Sequence, residues 1–257
     1  MTDPPTLRLD GQVAIVTGAS SGLGVIIAHA LAAHGCALVL GARRTDRLTA
    51  VADAITTSGG RALALTCDVR DPAHAQQLVD AALGHYGRLD GVVANAGIAG
   101  GGAAAYEDTA AFAEVLSVNV SAVANLSGAA ARHMIDHGGG WMILQSSILG
   151  RRAGTGPGVA AYTASKGAVE QLTRELARQW APHAIRVNAL APGYFPSEMN
   201  AAMVATPGRH EALVARIPLG RAGTPQDLAG VVAFLASDAA RYVTGQVLGV
   251  DGGMSVW

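Results

Sequence analysis

The stretch "QVAIVTGASSGLGVIIAHALAAHG", residues 12–35, sets a short apolar run against a glycine-rich turn and then a helix-like segment. "QVAIVTG" reads as a buried strand, and "GLGVIIAHALAAHG" has the length and composition of the helix that follows it. Gly18, Gly22 and Gly24 are spaced GxxxGxG, with Ser20, Ser21 and Leu23 filling the same turn. Glycines there let the backbone turn tightly and approach a pyrophosphate, while the amides of the helix N-terminus face the anion. An ordinary strand-to-helix turn accounts for one such glycine but poorly for three.

Outward from this turn the pattern repeats. "ALVLGA" precedes "TDRLTAVADAITTSG", and "ALALTCDV" precedes "DPAHAQQLVDAALGHYG"; "DGVVANAG", "GWMILQSS" and "AIRVNALAPG" continue the strands. The period switches between strand and helix throughout, which predicts βαβ units. The strands are almost continuously apolar, as in a parallel sheet covered on both faces. The expected fold is α/β: one domain over residues 1–257, a doubly wound parallel sheet with helices on both faces. "GIAGGGAAA" at 97–105 is read as a loop at the strand ends, not a linker. In such sheets ligands bind beyond the carboxyl ends of the strands, where strand order reverses.

Composition narrows the partners. Half of the 257 residues are hydrophobic (50%), 14% are charged, and the formal net charge is −1. No run of like charges marks a nucleic-acid face or a polybasic membrane anchor. "MTDPPTLRLDG" lacks the basic and apolar regions of a leader, and no stretch of 18 apolar residues follows. Cys36 and Cys67 stand in strand-like runs as small buried hydrophobes. The expectation is a soluble, cytoplasmic protein that binds a small molecule, without nucleic acid, membrane or metal. "HMIDH" sets His133 and His137 four apart, but it lacks the Glu of H-E-x-x-H and precedes a "GGG" stop, so it reads as a solvated helix end.

Two readings compete for the first turn. Gly18, Ser20 and Gly22 also match G-x-S-x-G, the nucleophile elbow of a serine hydrolase. That chemistry needs a histidine later in the chain, and the last one, His210, has no local setting that marks it out. "CDV" (Asp68, Val69) and "NAG" (Asn95, Ala96, Gly97) end the third and fourth strands. Asp68 is read as either a turn former or an adenine contact, while Ala96 and Gly97 leave room for a flat ligand or ribose.

"YTASK", residues 162–166, holds the only lysine among the 18 lysines and arginines of the chain. Tyr162 and Lys166, four apart on a helix, project from one face. A phenol ionises near about 10, and an adjacent cation favours the phenolate. Lysine offers a compact charge with three rotatable donors that arginine's planar fork does not. A solvated surface position would have been written in arginine, as elsewhere in this chain.

Together and in this order, "TGASSGLG", "NAG", "YTASK" and "PG" resemble the short-chain dehydrogenase/reductase family, over roughly Leu9 to Gly253. The resemblance implies a Rossmann-like fold and NAD(P)-dependent interconversion of a secondary alcohol and a ketone by hydride transfer. It implies Tyr162 as general acid/base and Lys166 as the residue that holds the nicotinamide ribose and lowers the tyrosine pKa. Ser147 would bond the substrate oxygen, and Asn119 of "LSVNVSA" would support a proton relay. Pro192, Gly193 and Phe195 would lie beside the nicotinamide, with Ser197 where the family usually has threonine. Ser147 stands 15 residues before Tyr162, slightly farther than usual, so the loop "RRAGTGPGV" is expected to be enlarged.

After the second strand, Ala42 occupies the place where NAD-using relatives carry an aspartate, and Arg43 and Arg44 follow. A guanidinium can pair with a 2′-phosphate, so NADP(H) is favoured and NAD(H) stays open. Met199 and Met203 would line a substrate lid at about 194–216. The expected activity is an NADPH-dependent carbonyl reductase working as a homotetramer. A gluconate-like sugar-acid dehydrogenase, a 3-oxoacyl thioester reductase, the Ser20 hydrolase and a non-catalytic nucleotide sensor are the alternatives.

Overall fold

Alternate residues of the first strand feed two different cores. Val13 and Ile15 point to one face of the sheet and Ala14 and Val16 to the other, all four buried. The computed structural model describes residues 6–100, 108–154 and 159–256. The start "MTDPP", part of the glycine-rich loop at 97–105, the "TGPG" of the loop before Tyr162, the Met203 side chain and Trp257 lie outside the described residues.

Seven parallel strands form one sheet: β1 (Val13–Thr17), β2 (Ala37–Ala42), β3 (Arg61–Thr66), β4 (Gly91–Ala94), β5 (Gly140–Gln145), β6 (Ile185–Pro192) and β7 (Val247–Val250). Their order is β3-β2-β1-β4-β5-β6-β7. The central strands are buried along their whole length, as their apolar runs require, while edge strands β3 and β7 are only partly covered.

Helices α1 (Gly22–Ala33), α2 (Thr45–Thr57), α3 (Pro72–Tyr86), α4 (Thr109–Leu116), α5 (Ala122–Asp136) and α6 (Ala160–Trp180) connect the strands. The short α7 (Ala201–Val204) and α8 (Arg209–Val214) follow β6, and α9 (Pro225–Ala236) precedes β7. Helices α3, α5 and α6 cover one face through Leu78, Leu126 and Val169; α1, α2 and α9 cover the other through Ile27, Leu48 and Leu228. Local signals set the ends. Asp71 caps α3 by accepting from the Ala73 amide, Pro72 opens it, and Gly87 closes it in the left-handed region.

One continuous helical stretch, Thr109–Asp136, is long and apolar enough by composition to cross a membrane. Its second part instead packs Leu126, Ala130 and Met134 against the sheet. The stretch is interrupted by a π turn at Ser117–Ser121. The chain runs outward from β1 to β3, then crosses back to β4 beside β1. That reversal places a cleft at the carboxyl ends of β1 and β4.

Candidate active site

A cleft of about 350 Å³ opens at this reversal, and its walls bring together most of the residues singled out in the sequence. Gly18 and Gly22 adopt the left-handed φ values +67° and +57° that glycine permits. A Cβ on Gly18 would lie 2.9 Å from Ala96 Cα, so the turn is pressed against the end of β4. Gly24 does not reach the cleft: its Cβ would meet Gly18 O at 2.2 Å, which makes it the glycine that lets α1 pack on the turn. Ser21, at the N-cap of α1, makes no side-chain cap, and Ser20, Ser21, Gly22 and Leu23 line the cleft. The first-turn amides of α1 thus stand beside the cavity without a capping side chain, an arrangement that fits a pyrophosphate.

Asn95, Ala96 and Gly97 form the floor. Asn95 Nδ2 donates to Thr17 O at 2.9 Å, and Thr17 Oγ1 accepts the Asn95 and Ala96 amides at 3.2 Å. Asn95 therefore ties β4 to β1 and turns its amide inward. At the rim stand Ala42, Arg43 and Arg44, with Asp68 and Val69 after β3. Arg43 is exposed and makes no ion pair among the described residues. Arg44 pairs with Glu198 at 2.9 Å and reaches Ser20 Oγ at 3.4 Å; Arg47 also pairs with Glu198. Asp68 turns its carboxylate to Arg70 at 2.5 Å, which holds it well down, to about 2. The expected adenine contact thus has its carboxylate engaged by protein.

The residues after β6 depart most from expectation. Gly193 donates its amide to Val250 O at 2.9 Å, and a Cβ there would fall 2.6 Å from Asp251 Cβ. The glycine of "PG" is thus required by the chain end crossing over it, and neither it nor Pro192 lines the cleft. The Phe195 ring, expected beside the nicotinamide, does not line the cleft: it is buried in the α1/α2/α9 core, against Gly223. Ser197 does reach the cleft and opens the Glu198–Asn200 turn, donating its amide to Asn200 Oδ1 at 2.8 Å. Met199, half exposed, completes this wall.

Ser147 and Tyr162 come from different elements and meet. Ser147 follows β5 and is 9% exposed; its Oγ accepts the Leu149 amide at 3.2 Å, opening a single 3₁₀ turn. That bond uses a lone pair, which leaves the hydroxyl proton for the Tyr162 oxygen beside it. Tyr162 is half-buried near the start of α6, and its phenol is raised above its ordinary value by burial, with the Ser147 hydroxyl pulling it back.

Lys166 lies behind the tyrosine. Its Nζ lies 5.4 Å from the centre of the Tyr162 ring but donates to Gln145 O at 2.7 Å. The side chain is 3% exposed, and burial lowers the ammonium to about 8. Burial, the larger influence on the phenol, keeps Tyr162 protonated at neutral pH.

Asn119 sits inside the π turn, wholly buried. Its Oδ1 accepts the Ile98 amide and its Nδ2 donates to Ile98 O, both at 2.9 Å, and Nδ2 reaches Ser165 Oγ at 3.0 Å. It joins the strand β4 exit to α6, and a π bulge at this point is a common mark of a functional site. Gly97 packs against both: a Cβ there would come within 3.3 Å of Asn119 Oδ1 and 3.6 Å of Lys166 Nζ.

The hydrolase alternative lacks its base. Ser20 Oγ meets Arg44, whereas His210 bonds Tyr194 Oη at 2.9 Å. Thr17, Gln145, Ser165 and Glu198 also shape the site without a sequence signal of their own, as does Ser146, which the S-x-x-G pattern ending at Gly150 passes over in favour of Ser147. Gln145 contributes a backbone carbonyl, which no side-chain pattern could signal; Ser146, adjacent to Ser147 in "QSSILG", was the one within reach.

Residues 18–255 match a family model described as Enoyl-(Acyl carrier protein) reductase. The chain is 38% identical over 256 residues to the gluconate 5-dehydrogenase of Gluconobacter oxydans (strain 621H), covering 100% of this chain and 99% of that one. A short-chain type dehydrogenase/reductase from Mycobacterium marinum superposes with a TM-score of 0.92 at 38% identity, over 97% of each chain. A gluconate 5-dehydrogenase from Burkholderia cenocepacia J2315, solved with NADP and tartrate, superposes with a TM-score of 0.92 at 36% identity, over 98% of each. With a parallel seven-stranded sheet, a glycine turn at its reversal point and a serine–tyrosine–lysine set beside it, the chain belongs to the short-chain dehydrogenase/reductase family, and is an NAD(P)-dependent oxidoreductase interconverting a secondary alcohol and a ketone.

Proposed function

We propose that the chain works as an NADPH-dependent carbonyl reductase. The observation that carries this reading is the rim after β2, where Ala42 and exposed Arg43 stand in the cleft wall and the strand end itself offers no carboxylate to a ribose diol. A guanidinium there suits a 2′-phosphate, and a carboxylate would repel it.

When bound, NADP(H) supplies the hydride. Every other part belongs to the chain. The amides of Gly22 and Leu23 and the floor at Ala96 and Gly97 would hold the dinucleotide. Ser147, whose hydroxyl is bonded to Tyr162 in this structure, would turn its proton to the substrate oxygen and orient the carbonyl. Tyr162, protonated at neutral pH through burial, delivers its proton as negative charge develops on that oxygen, a step worth about 10²–10⁴ in rate. Lys166 presents its ammonium beneath the phenol and fixes the end of β5 through Gln145 O. Asn119 holds the β4 exit against α6, so that Gly97 and Lys166 keep their spacing.

A second reading is a sugar-acid substrate, favoured by the gluconate 5-dehydrogenases among the similar proteins. One screen tests both: NADPH or NADH with simple ketones, keto sugar acids and 3-oxoacyl thioesters, read as cofactor consumption. Turnover of ketones with NADPH supports the first reading, and turnover confined to keto acids the second. No turnover of any carbonyl, or higher kcat/KM with NADH, overturns the cofactor and reductase assignment.

The chain is further proposed to assemble as a homotetramer. Exposed Leu219, Tyr242 and Val256 would otherwise leave apolar surface near the chain end. Sedimentation at micromolar concentration showing monomer alone would overturn it.

A further inference from the structure

Ser147 and Tyr162 must meet to within a hydrogen bond, yet they belong to separate elements, one at the end of β5 and the other on α6. Something has to set the distance between those elements at that point. A buried carboxylate with no part in the steps above lies there: Glu170, on α6 one turn beyond Lys166, is 4% exposed.

Its two oxygens face the segment that carries Ser147. Glu170 Oε1 lies 3.3 Å from Ser146 Oγ, which is also 3.2 Å from Lys166 O. Glu170 Oε2 accepts from Arg151 Nε at 3.3 Å, with Arg174 at 3.8 Å on the solvent side. Arg151 follows the 3₁₀ turn begun by Ser147, and its other arm donates to Val247 O on β7 at 2.5 Å. The backbone rests directly on the carboxylate, since a Cβ on Gly150 would come within 2.9 Å of Glu170 Oε1. Four residues before the carboxylate, Lys166 holds Gln145 O. The segment 145–151 is therefore fastened to α6 on both sides of Ser147.

We propose that Glu170, acting through Arg151 and Ser146, is a positioning residue that holds Ser147 in register with Tyr162. This inference rests on the catalytic assignment of Ser147 and Tyr162 and adds the device that aligns them. A buried, ion-paired carboxylate costs desolvation, and a geometry it enforces gives a reason for its place there. Misalignment of reacting groups by about 1 Å can lower rate by about a hundredfold.

The test is a double-mutant cycle in the full-length protein, with a ketone from the screen above. Glu170→Gln keeps the shape and the Ser146 contact but removes the charge; Arg151→Met removes the strap, and Arg151→Lys restores a cation. With Ser147 present, Glu170→Gln and Arg151→Met are expected to lower kcat by roughly tenfold or more, with Arg151→Lys recovering part of it. NADPH affinity, measured by fluorescence titration, should change by less than about twofold, and thermal unfolding reports folding. In a Ser147→Ala background, Glu170→Gln should cost less than about twofold more, because the residue it aligns is gone. Wild-type kcat in Glu170→Gln overturns the proposal. So does an equal fold loss with and without Ser147, which marks a merely structural part. Should Glu170→Gln fail to fold, the Arg151 variants, altered at a partly exposed side chain, decide by the same comparison. Full activity of Ser147→Ala alone would overturn the catalytic assignment itself, and the proposal with it.

Discussion

Lys166 gives its ammonium to the Gln145 carbonyl at 2.7 Å, so the only lysine of the chain joins the helix of the tyrosine to the strand that ends before Ser147. Arginine cannot repeat this. Its head is planar and larger, and the site is 3% exposed. Lys166→Arg is expected to keep the positive charge and lose roughly a hundredfold in kcat/KM, as a displacement of about 1 Å in the aligned groups would cost. Tyr162→Phe should lose at least as much, since it removes the acid. Steady-state kinetics with thermal unfolding as the folding control checks both; a loss below about fivefold, near 1 kcal/mol of barrier, would show that arginine suffices.

The pH profile should differ between the two directions. Burial raises the Tyr162 phenol and lowers the Lys166 ammonium to about 8. Reduction needs the protonated phenol, which persists through neutrality, and the charged lysine, which is lost as pH rises through about 8. Reductive kcat should therefore be flat in the neutral range and fall above about pH 8. Oxidation of the alcohol needs the phenolate and should climb as pH rises. A reductive profile that stays flat to about pH 10, near the ordinary lysine value, would mean that lysine ionisation does not govern the rate.

Cofactor choice is expected to follow the rim after β2. Ala42→Asp combined with Arg43→Leu introduces a carboxylate for the ribose diol and removes an exposed guanidinium. The ratio of kcat/KM for NADPH over NADH should fall by at least about tenfold, from the loss of one charge-assisted contact and the gain of one repulsion. An unchanged ratio would place the 2′-phosphate contact elsewhere.

The main lines of this site could be read from the sequence because their determinants are local. Three glycines over seven residues describe a turn by themselves, and Tyr162 and Lys166 share a helix face by spacing alone. What the sequence leaves unexplained is set at long range. Gly193 is a glycine because Asp251, far along the chain, crosses it, and nothing near "PG" carries that information. Phe195 points to the core because Gly223 leaves room for its ring. Lys166 turns to a backbone carbonyl, an acceptor every residue possesses. A parallel sheet covered on both faces follows from strands whose apolar runs are continuous, but the pairing of Arg44 with Glu198 joins residues on separate loops and becomes visible only once the chain is folded.

That pair leads to the last expectation. Glu198 opens the turn after Ser197 in the cleft wall and accepts from Arg44 at 2.9 Å and from Arg47, while Arg44 also reaches Ser20. These guanidiniums hold the Glu198 carboxyl below its ordinary value, so it stays charged across the working range. A 2′-phosphate that draws on Arg44 must therefore displace a carboxylate already seated there, and would meet its repulsion. Exposed ion pairs of this kind are weak, which keeps the competition small. Glu198→Gln should lower the KM for NADPH by roughly two- to fivefold and leave that for NADH unchanged. The gain should shrink with added salt, because screening weakens the competing pair in the wild type and the phosphate contact in both. Measuring both KM values for wild type and variant at low and high ionic strength checks this. A KM for NADPH that is unchanged or higher in Glu198→Gln would mean that the carboxylate orients Arg44 for the phosphate instead of competing for it.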